Sequence, residues 1–241
     1  MSQTAFDLST IAQHLITEDD EPADNVFSEK QQRLLTEPLY SSWQPPFSED
    51  EPQVPRKFMA AANVGVFFSA IEPPLVPDMF LSLDVEPKAE WLADEHRSYF
   101  VWVFGTVPEV AVKIVSNRKG DEMDKKFRTY ARWGINYYVV LDPFNELRGE
   151  KLNVYELGFG KRYRRKNDFV LPDLNLSLAL WRGSFEGMEE EWLRWCDANG
   201  NLILTGNERA LIADGRAQIA DERAAKLAAK LRELGTDPDQ I

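Results

Sequence analysis

The fold is decided by residues 108–143, which read PEVAVKIVSNRKGDEMDKKFRTYARWGINYYVVLDP. Residues 108–116 are rich in valine and isoleucine, which predicts a buried strand. In residues 121–133 the apolar side chains recur at the spacing of one helical face, which predicts a helix. Residues 136–142 form a second apolar run, and Pro143 ends it. This stretch therefore predicts a strand, a helix and a strand in succession.

Three further apolar runs precede this stretch and predict strands. They are residues 61–68, 75–84 and 98–104. Residues 72–74, Glu-Pro-Pro, interrupt the first two runs, which are expected to form a hairpin. The predicted order is four strands, a helix and another strand. It indicates the α/β (α+β) class, with a mixed β-sheet and a central helix after the fourth strand.

Extra β-hairpins and a long helix are expected after this core. Residues 152–157 and 162–165 are typical of an antiparallel pair around a Gly-Phe-Gly turn, and a tight hairpin is expected at Asn199-Gly200. From Glu208 to Leu234, alanine and leucine alternate at spacings of four and three, as in a coiled-coil seam. The helix is expected to pack on the domain or on a second copy of the chain, so the partner prediction is a homo-oligomer, in particular a dimer.

Charge is distributed unevenly along the chain. The net charge is −12, from 28 basic and 40 acidic residues, and residues 1–54 alone contribute −9. Those residues also contain five prolines, so they are predicted to form a poorly packed acidic arm with a short helix near Ser28. The predicted parts are the arm 1–54, a domain 55–206 and a C-terminal helix 207–241.

Residue content excludes several classes of protein. Cys196 is the single cysteine, which rules out an intramolecular disulfide and fits a reducing cytoplasm. The sequence has no apolar run of ~18 residues and no basic segment at its N-terminus, so neither membrane insertion nor secretion is expected. With two histidines in the chain, a metal would have to be held by carboxylates, which favour magnesium or manganese.

Two basic clusters lie outside the acidic arm. Residues 116–132 hold six basic residues against three acids, and residues 161–166 read KRYRRK. Such clusters are either ordinary solvated surface or contacts for phosphate groups. On the second interpretation, the residues that bind DNA are Arg118, Lys119, Lys125, Arg128, Arg162, Arg164 and Arg165.

One set of carboxylates and lysines is a candidate catalytic site. Asp78 lies inside an apolar strand, where a carboxylate is costly unless it is paired or binds a metal. Strand alternation puts Glu109 and Lys113 on one face of the strand that ends near Ser116. Glu122 and Lys126 are one turn apart on the predicted helix.

In this order and spacing, the segments resemble the Uma-two-type putative restriction endonuclease family, a branch of the PD-(D/E)XK nuclease superfamily. The resemblance is carried by Pro77-Asp78, by the strand end at residues 114–117, by Lys126 four residues before Tyr130, and by the run 137–143. It covers residues 61–142, and a longer subgroup extends it through residues 178–206 and 231–235.

The resemblance implies a restriction-endonuclease-like core that hydrolyses DNA phosphodiester bonds with magnesium or manganese. Asp78 matches the family's first metal-binding aspartate, and Lys126 matches its lysine. Glu122 matches a helical acid four residues before that lysine. In such a site the metal activates water against the scissile phosphate, and the lysine stabilises the developing charge.

Lys113 departs from the family pattern, which has a metal-binding glutamate at this position. An ammonium group repels a cation, and it would instead pair with Asp78. Glu122 is the candidate to replace the missing ligand, and Glu109, ~13 Å away along the strand, is a weaker one. Two hypotheses stay open: a metal-dependent endonuclease, or an inactive nuclease-fold module that binds nucleic acid or protein.

Overall fold

The computed structural model describes residues 25–48, 52–85, 90, 93–116 and 122–234. The chain divides into two units, the first ending at Ile203 and the second beginning at Leu204. The helices of the first unit are α1 (Val26–Ser42), α2 (Val101–Phe104) and α3 (Glu122–Trp133), and its strands are β1 (Phe58–Ala61), β2 (Val66–Phe67), β3 (Met79–Leu83), β4 (Tyr99–Phe100), β5 (Val110–Ile114), β6 (Tyr137–Leu141), β7 (Leu152–Gly158), β8 (Arg162–Arg165), β9 (Val170–Leu171), β10 (Leu176–Phe185) and β11 (Met188–Asp197).

The main sheet has six strands in the order β1-β3-β5-β6-β7-β8. Strands β5 and β6 are parallel, whereas every other neighbouring pair is antiparallel. Helix α3 makes the connection between the two parallel strands. The predicted strand, helix and strand at residues 108–143 are therefore confirmed, as is the mixed α/β sheet.

The two faces of the main sheet are covered by different elements. Val110, Val112 and Ile114 of β5 point into a core that includes side chains of α1, β10 and β11. Ala111, from the same strand, points to the opposite face, where Tyr130 and other side chains of α3 pack. The alternation predicted for this strand is thus correct, and it places Lys113 on the face that α3 covers.

The predicted first hairpin is confirmed, because the two runs on either side of residues 72–74 pair antiparallel in one register. Ala61 lies opposite Phe80, and Val66 and Leu75 exchange backbone hydrogen bonds at 2.9 and 3.1 Å. The run at residues 61–68 is less regular than predicted, because Asn63, between β1 and β2, has a left-handed φ of 54° that interrupts the extended chain. Strand β2 also pairs in parallel with β4, a contact that the sequence did not indicate. The run at 98–104 is likewise divided into β4 and α2, so α3 follows the fifth strand of the structure.

The predicted poor packing is wrong for α1. The side chain of Asn25, three residues before Ser28, caps this helix by accepting the Ser28 N–H at 2.9 Å. Leu34, Leu35 and Leu39 are fully buried on one side of it. The acidic composition of residues 1–54 therefore hides an amphipathic helix that belongs to the core.

The Gln31 side chain connects α1 to strand β11. Its amide group donates to the C=O of Leu193 at 2.9 Å and accepts the N–H of the same residue at 2.8 Å. Strand β11 lies at the edge of a three-stranded sheet with β10 and β9, so its backbone groups need such partners. This pair of bonds fixes the helix on the sheet.

Both predicted C-terminal hairpins have counterparts in the structure. Strands β7 and β8 form the expected antiparallel pair, and a bridge between Cys196 and Leu202 closes the turn at Asn199-Gly200. The main partner of β11 is nevertheless β10, through a turn at Glu186-Gly187 that sequence analysis did not anticipate. Both residues of that turn have positive φ angles, 45° and 77°, as tight hairpins require.

The second unit contains helix α4 (Gly206–Glu233). It begins two residues before the predicted start, because Thr205 and Glu208 form a capping box. The Thr205 hydroxyl accepts the Glu208 N–H at 3.1 Å, and the Glu208 carboxylate accepts the Thr205 N–H at 2.7 Å. The long C-terminal helix is thus confirmed.

Candidate functional site

Asp78 lies where strand β3 begins and strand β5 ends. Its N–H donates to the C=O of Val112 at 3.0 Å, which continues the antiparallel pairing by one residue. This register brings Lys113 beside Asp78, and the Lys113 Nζ atom lies 3.3 Å from the Asp78 Oδ2 atom. The backbone N–H of Ile114 donates to the same oxygen. The carboxylate is therefore held by one side chain and one backbone group.

Burial governs the electrostatics of this pair. Asp78 is 7% exposed, and the Lys113 side chain is 18% exposed. Burial raises the pKa of Asp78 above its usual value, while the charge of Lys113 and the hydrogen bond from Ile114 act in the opposite direction. A buried carboxylate without such partners would be strongly destabilising.

Helix α3 adds a second amine to the site. Lys126 is buried, and its Nζ atom donates to the C=O of Val76 at 3.2 Å. Its charge also lowers the pKa of Asp78, because the two groups are close. The structure thus brings together Asp78, Lys113 and Lys126, three of the residues that sequence analysis singled out.

Of the remaining acids predicted for the site, the structure describes the side chain of Glu109. Glu109 lies four residues before Lys113, ~13 Å along β5, where its carboxylate accepts the Leu83 N–H at 2.7 Å and lies 4.0 Å from Arg56. Burial raises its pKa to about 7. This position does not bring the Glu109 carboxylate to Asp78, and its role as a metal ligand stays a prediction. Glu122 begins α3, but its side chain lies outside the described part of the chain.

The described residues do not fit magnesium or manganese. Such ions need several oxygen ligands, usually including more than one carboxylate. Within the part of the chain that the structure describes, no group of three histidine, cysteine or acidic residues is placed to hold a metal. One carboxylate faces two ammonium groups instead, so the described site carries a net charge of 2 − 1 = +1.

A second buried aspartate, Asp142, follows strand β6. Its two carboxylate oxygens accept the N–H groups of Glu146 and Leu147, at 2.9 and 2.7 Å. These bonds stabilise the turn that leads to β7, so this aspartate has a structural role.

Two hydrogen-bond partners at the Asp78 site could not be predicted from the sequence. They are the Ile114 N–H, which binds Asp78, and the Val76 C=O, which binds Lys126. Both are backbone groups, which leave no signal in a residue pattern.

The residues predicted to bind DNA lie on two neighbouring elements. Lys125 and Arg128 are exposed on α3, and Arg162, Arg164 and Arg165 are exposed on β8, which packs against α3 through Phe127 and Tyr163. Arg165 forms an ion pair with Glu150. The predictions for Arg118 and Lys119 fall outside the described residues.

The class of protein follows from this arrangement, a restriction-endonuclease-like fold. It consists of strands β3, β5 and β6 and helix α3, with an aspartate at the start of β3 and a lysine on the helix. The Uma2 family, described as a putative restriction endonuclease, matches residues 22–183. Because this match covers more than half of the 241 residues, the chain belongs to that family. The expected family is thereby confirmed, and it indicates a nuclease-like function.

No curated protein matches the chain. A nuclease-like family suggests DNA as a partner and a divalent metal as a cofactor. Among the described helices, none is long and apolar enough to cross a membrane.

Proposed function

We propose that this chain is a nuclease-fold protein that binds DNA and has lost the metal-dependent hydrolysis implied by its family. One observation carries the proposal, the 3.3 Å contact between Lys113 Nζ and Asp78 Oδ2. The ammonium group stands where the resemblance places a metal-binding glutamate. Lys126 adds a second positive charge near the same carboxylate. A divalent cation would be repelled by both amines.

The same charges favour an anion. With a net charge of +1, the site attracts a phosphate group of the DNA backbone. Lys113 is partly exposed and can contact such a group. Exposed basic residues on α3 and β8 extend the positive surface, namely Lys125, Arg128, Arg162 and Arg164. Phosphate contacts of this kind give affinity without sequence preference.

The test is DNA binding and cleavage by the wild type and three variants. The wild type should bind DNA at low salt, with an affinity that falls as salt rises, and should not cleave a plasmid with magnesium or manganese. Lys113→Glu should restore metal-dependent cleavage. Lys113→Gln, which has nearly the same shape without the carboxylate, is its matched control and should stay inactive. Adding Asp78→Ala to Lys113→Glu should abolish the restored activity.

Two results would contradict the proposal. The first is metal-dependent cleavage by the wild-type protein that disappears in Asp78→Ala. The second is the absence of any salt-sensitive DNA binding by the wild type. Circular dichroism of each variant shows whether the variants are folded.

The position of Glu122 favours a second candidate function, that of a metal-dependent endonuclease. Glu122 begins α3 four residues before Lys126, so the two residues share one face of the helix. From this place a carboxylate could replace the missing glutamate. Wild-type cleavage that is lost in both Asp78→Ala and Glu122→Gln, but kept in the control Glu109→Gln, would support this candidate.

The proposed assembly is a cytoplasmic homodimer formed through α4. Ala220, Ala224 and Leu227 continue the seam with spacings of four and three along this helix. Analytical ultracentrifugation of the full chain should give a dimer, and Leu227→Glu should shift it to a monomer. A monomeric wild type at micromolar concentration would refute the assembly. The cytoplasmic part of the proposal is supported by the presence of a single cysteine, Cys196, which is buried.

A further inference from the structure

The turn between β7 and β8 presents a phenylalanine to solvent. Phe159 is 99% exposed, and it begins the three-residue loop Phe159-Gly160-Lys161. Gly160 and Lys161 both have left-handed φ angles, 75° and 54°, which close the hairpin. A single exposed apolar residue is common on protein surfaces, so its surroundings decide whether it is a binding site.

The turn is firmly anchored to the body of the first unit. Lys161 Nζ donates to the C=O of Arg132 at the end of α3, at 2.9 Å. Tyr163 Oη donates to the C=O of Ile135 at 2.8 Å, and the ring of Phe127 packs edge-on against the Tyr163 ring. Phe159 is therefore displayed by a fixed hairpin, and little conformational entropy is lost when a ligand binds it.

Two arginines stand beside this turn. Arg162 and Arg164 are exposed, and their side chains make no ion pair with any residue that the structure describes. Glu156 lies opposite Arg164 in the strand pair, but its carboxylate pairs with Lys166 at 3.5 Å. Both guanidinium groups thus keep their full positive charge available to an anionic ligand.

Gly158 provides the space for this arrangement. A Cβ atom at Gly158 would lie 3.3 Å from the Nε atom of Arg164, so the arginine side chain passes over the glycine next to Phe159. An aromatic ring with an open face and a neighbouring cation is the combination that binds unpaired bases and their phosphates. Duplex DNA does not offer the same contact, because its bases are already stacked on one another.

We propose that this hairpin turn is a binding site for single-stranded DNA, in which Phe159 stacks on a base and Arg162 and Arg164 bind the adjacent phosphates. The proposal rests on the proposed function and deepens it by naming the substrate class. The turn lies at the Asn136 end of β6, whereas Lys113 is level with Val140, ~13 Å away along the strand. Substitutions in the turn therefore leave the ion pair of the candidate site intact.

The experiment measures the fluorescence anisotropy of the full chain with a labelled single strand and with its duplex, at the same low salt. A fluorescent aminopurine base in the single strand reports stacking. Phe159→Ala should weaken single-strand binding about tenfold, abolish the stacking signal and leave duplex binding within about twofold. Phe159→Trp, which keeps an aromatic face, should retain both single-strand affinity and the stacking signal.

Two further variants serve as controls. Phe47→Ala removes another exposed phenylalanine, 59% exposed, from a separate segment and should change neither affinity. Arg162→Gln with Arg164→Gln should weaken both forms of DNA and reduce the salt dependence, because phosphate contacts are common to both.

The outcomes separate this inference from the proposed function. If the wild type binds both forms of DNA and Phe159→Ala changes neither, or weakens both equally, the single-strand site is refuted and the proposed function stands. If the wild type binds neither form, both ideas are refuted. A change of sedimentation in Phe159→Ala without a change in DNA binding would assign the turn to self-association and overturn the inference.

Discussion

The ion pair between Asp78 and Lys113 makes a quantitative prediction about stability. At 3.3 Å and an effective dielectric constant of ~20, the attraction of two unit charges is about 5 kcal/mol, and the desolvation of both groups offsets much of it. Lys113→Met keeps most of the side-chain length and removes the charge. The buried carboxylate then retains the Ile114 N–H and the nearby charge of Lys126. We expect the free energy of unfolding to fall by about 3 kcal/mol at neutral pH.

The reverse substitution, Asp78→Asn, should be less destabilising. The Lys113 side chain is 18% exposed and can turn its amine towards water. We therefore expect the free energy of unfolding to fall by about 1 kcal/mol. The double variant should then lie close to Asp78→Asn alone, with a coupling energy of about 2–3 kcal/mol between the two positions. This asymmetry distinguishes a buried pair from two independent surface charges.

The pH dependence of Lys113→Met has a definite sign. Burial already raises the pKa of Asp78, and loss of the Lys113 charge must raise it further. The folded variant then holds a proton more tightly than the unfolded chain does. Its stability therefore rises as pH falls through the folded-state pKa of Asp78, and the deficit against the wild type becomes smaller in mild acid.

Urea unfolding followed by tryptophan fluorescence gives these free energies by linear extrapolation. Equal slopes for the four proteins show that the same transition is compared. A loss below about 1 kcal/mol for Lys113→Met, or strictly additive single substitutions, would refute the argument. In that case Lys113 would be solvated and would not neutralise Asp78.

Three other predictions concern the same fold. Burial raises the pKa of Glu109 from 4.5 to about 7, so wild-type stability should fall by roughly 3 kcal/mol as pH rises through this window, whereas Glu109→Gln should lack this fall in urea titrations at each pH. Lys113→Glu should gain thermal stability with added magnesium by mass action, and an equal gain in the wild type would contradict the loss of its metal site. Leu35→Ala should lower the free energy of urea unfolding by about 2–5 kcal/mol, since Leu35 is fully buried, and an unchanged midpoint would show that α1 is not part of the core.

The central part of the fold could be predicted because its periodicities are strong. Alternation along residues 108–116 correctly separated Lys113 from Val112 and Ile114, and the helical stripe at residues 121–133 correctly predicted that Phe127 and Tyr130 lie on the apolar face of α3. The placement of Lys126 and Lys113 near Asp78 follows from the resemblance to the nuclease family, since neither pattern relates these residues to Asp78. Local patterns suffice here because each element has one clearly apolar face.

The parts that failed depend on contacts distant in sequence. Residues 1–54 are acidic on average, so their composition did not indicate that one side of α1 is buried. The hydrogen bonds between Gln31 and Leu193 join residues 162 positions apart. No local pattern encodes such a contact. The turn at Glu186-Gly187 was missed for a different reason, because the glutamate there adopts a left-handed φ that is uncommon for its residue type.

Asp78 and Lys113 contribute to the stability of the sheet as well as to the candidate site. Asp78 accepts the Ile114 N–H and pairs with β5 through its own backbone, so it contributes to the sheet as well as to any chemistry. A buried carboxylate facing neither a metal nor a cation would weaken the domain, and Lys113 supplies the missing positive charge through a covalently attached group. A metal can dissociate, whereas this ammonium cannot. On the proposed function, the exchange of one strand residue would convert a cation site into an anion site while the scaffold is preserved.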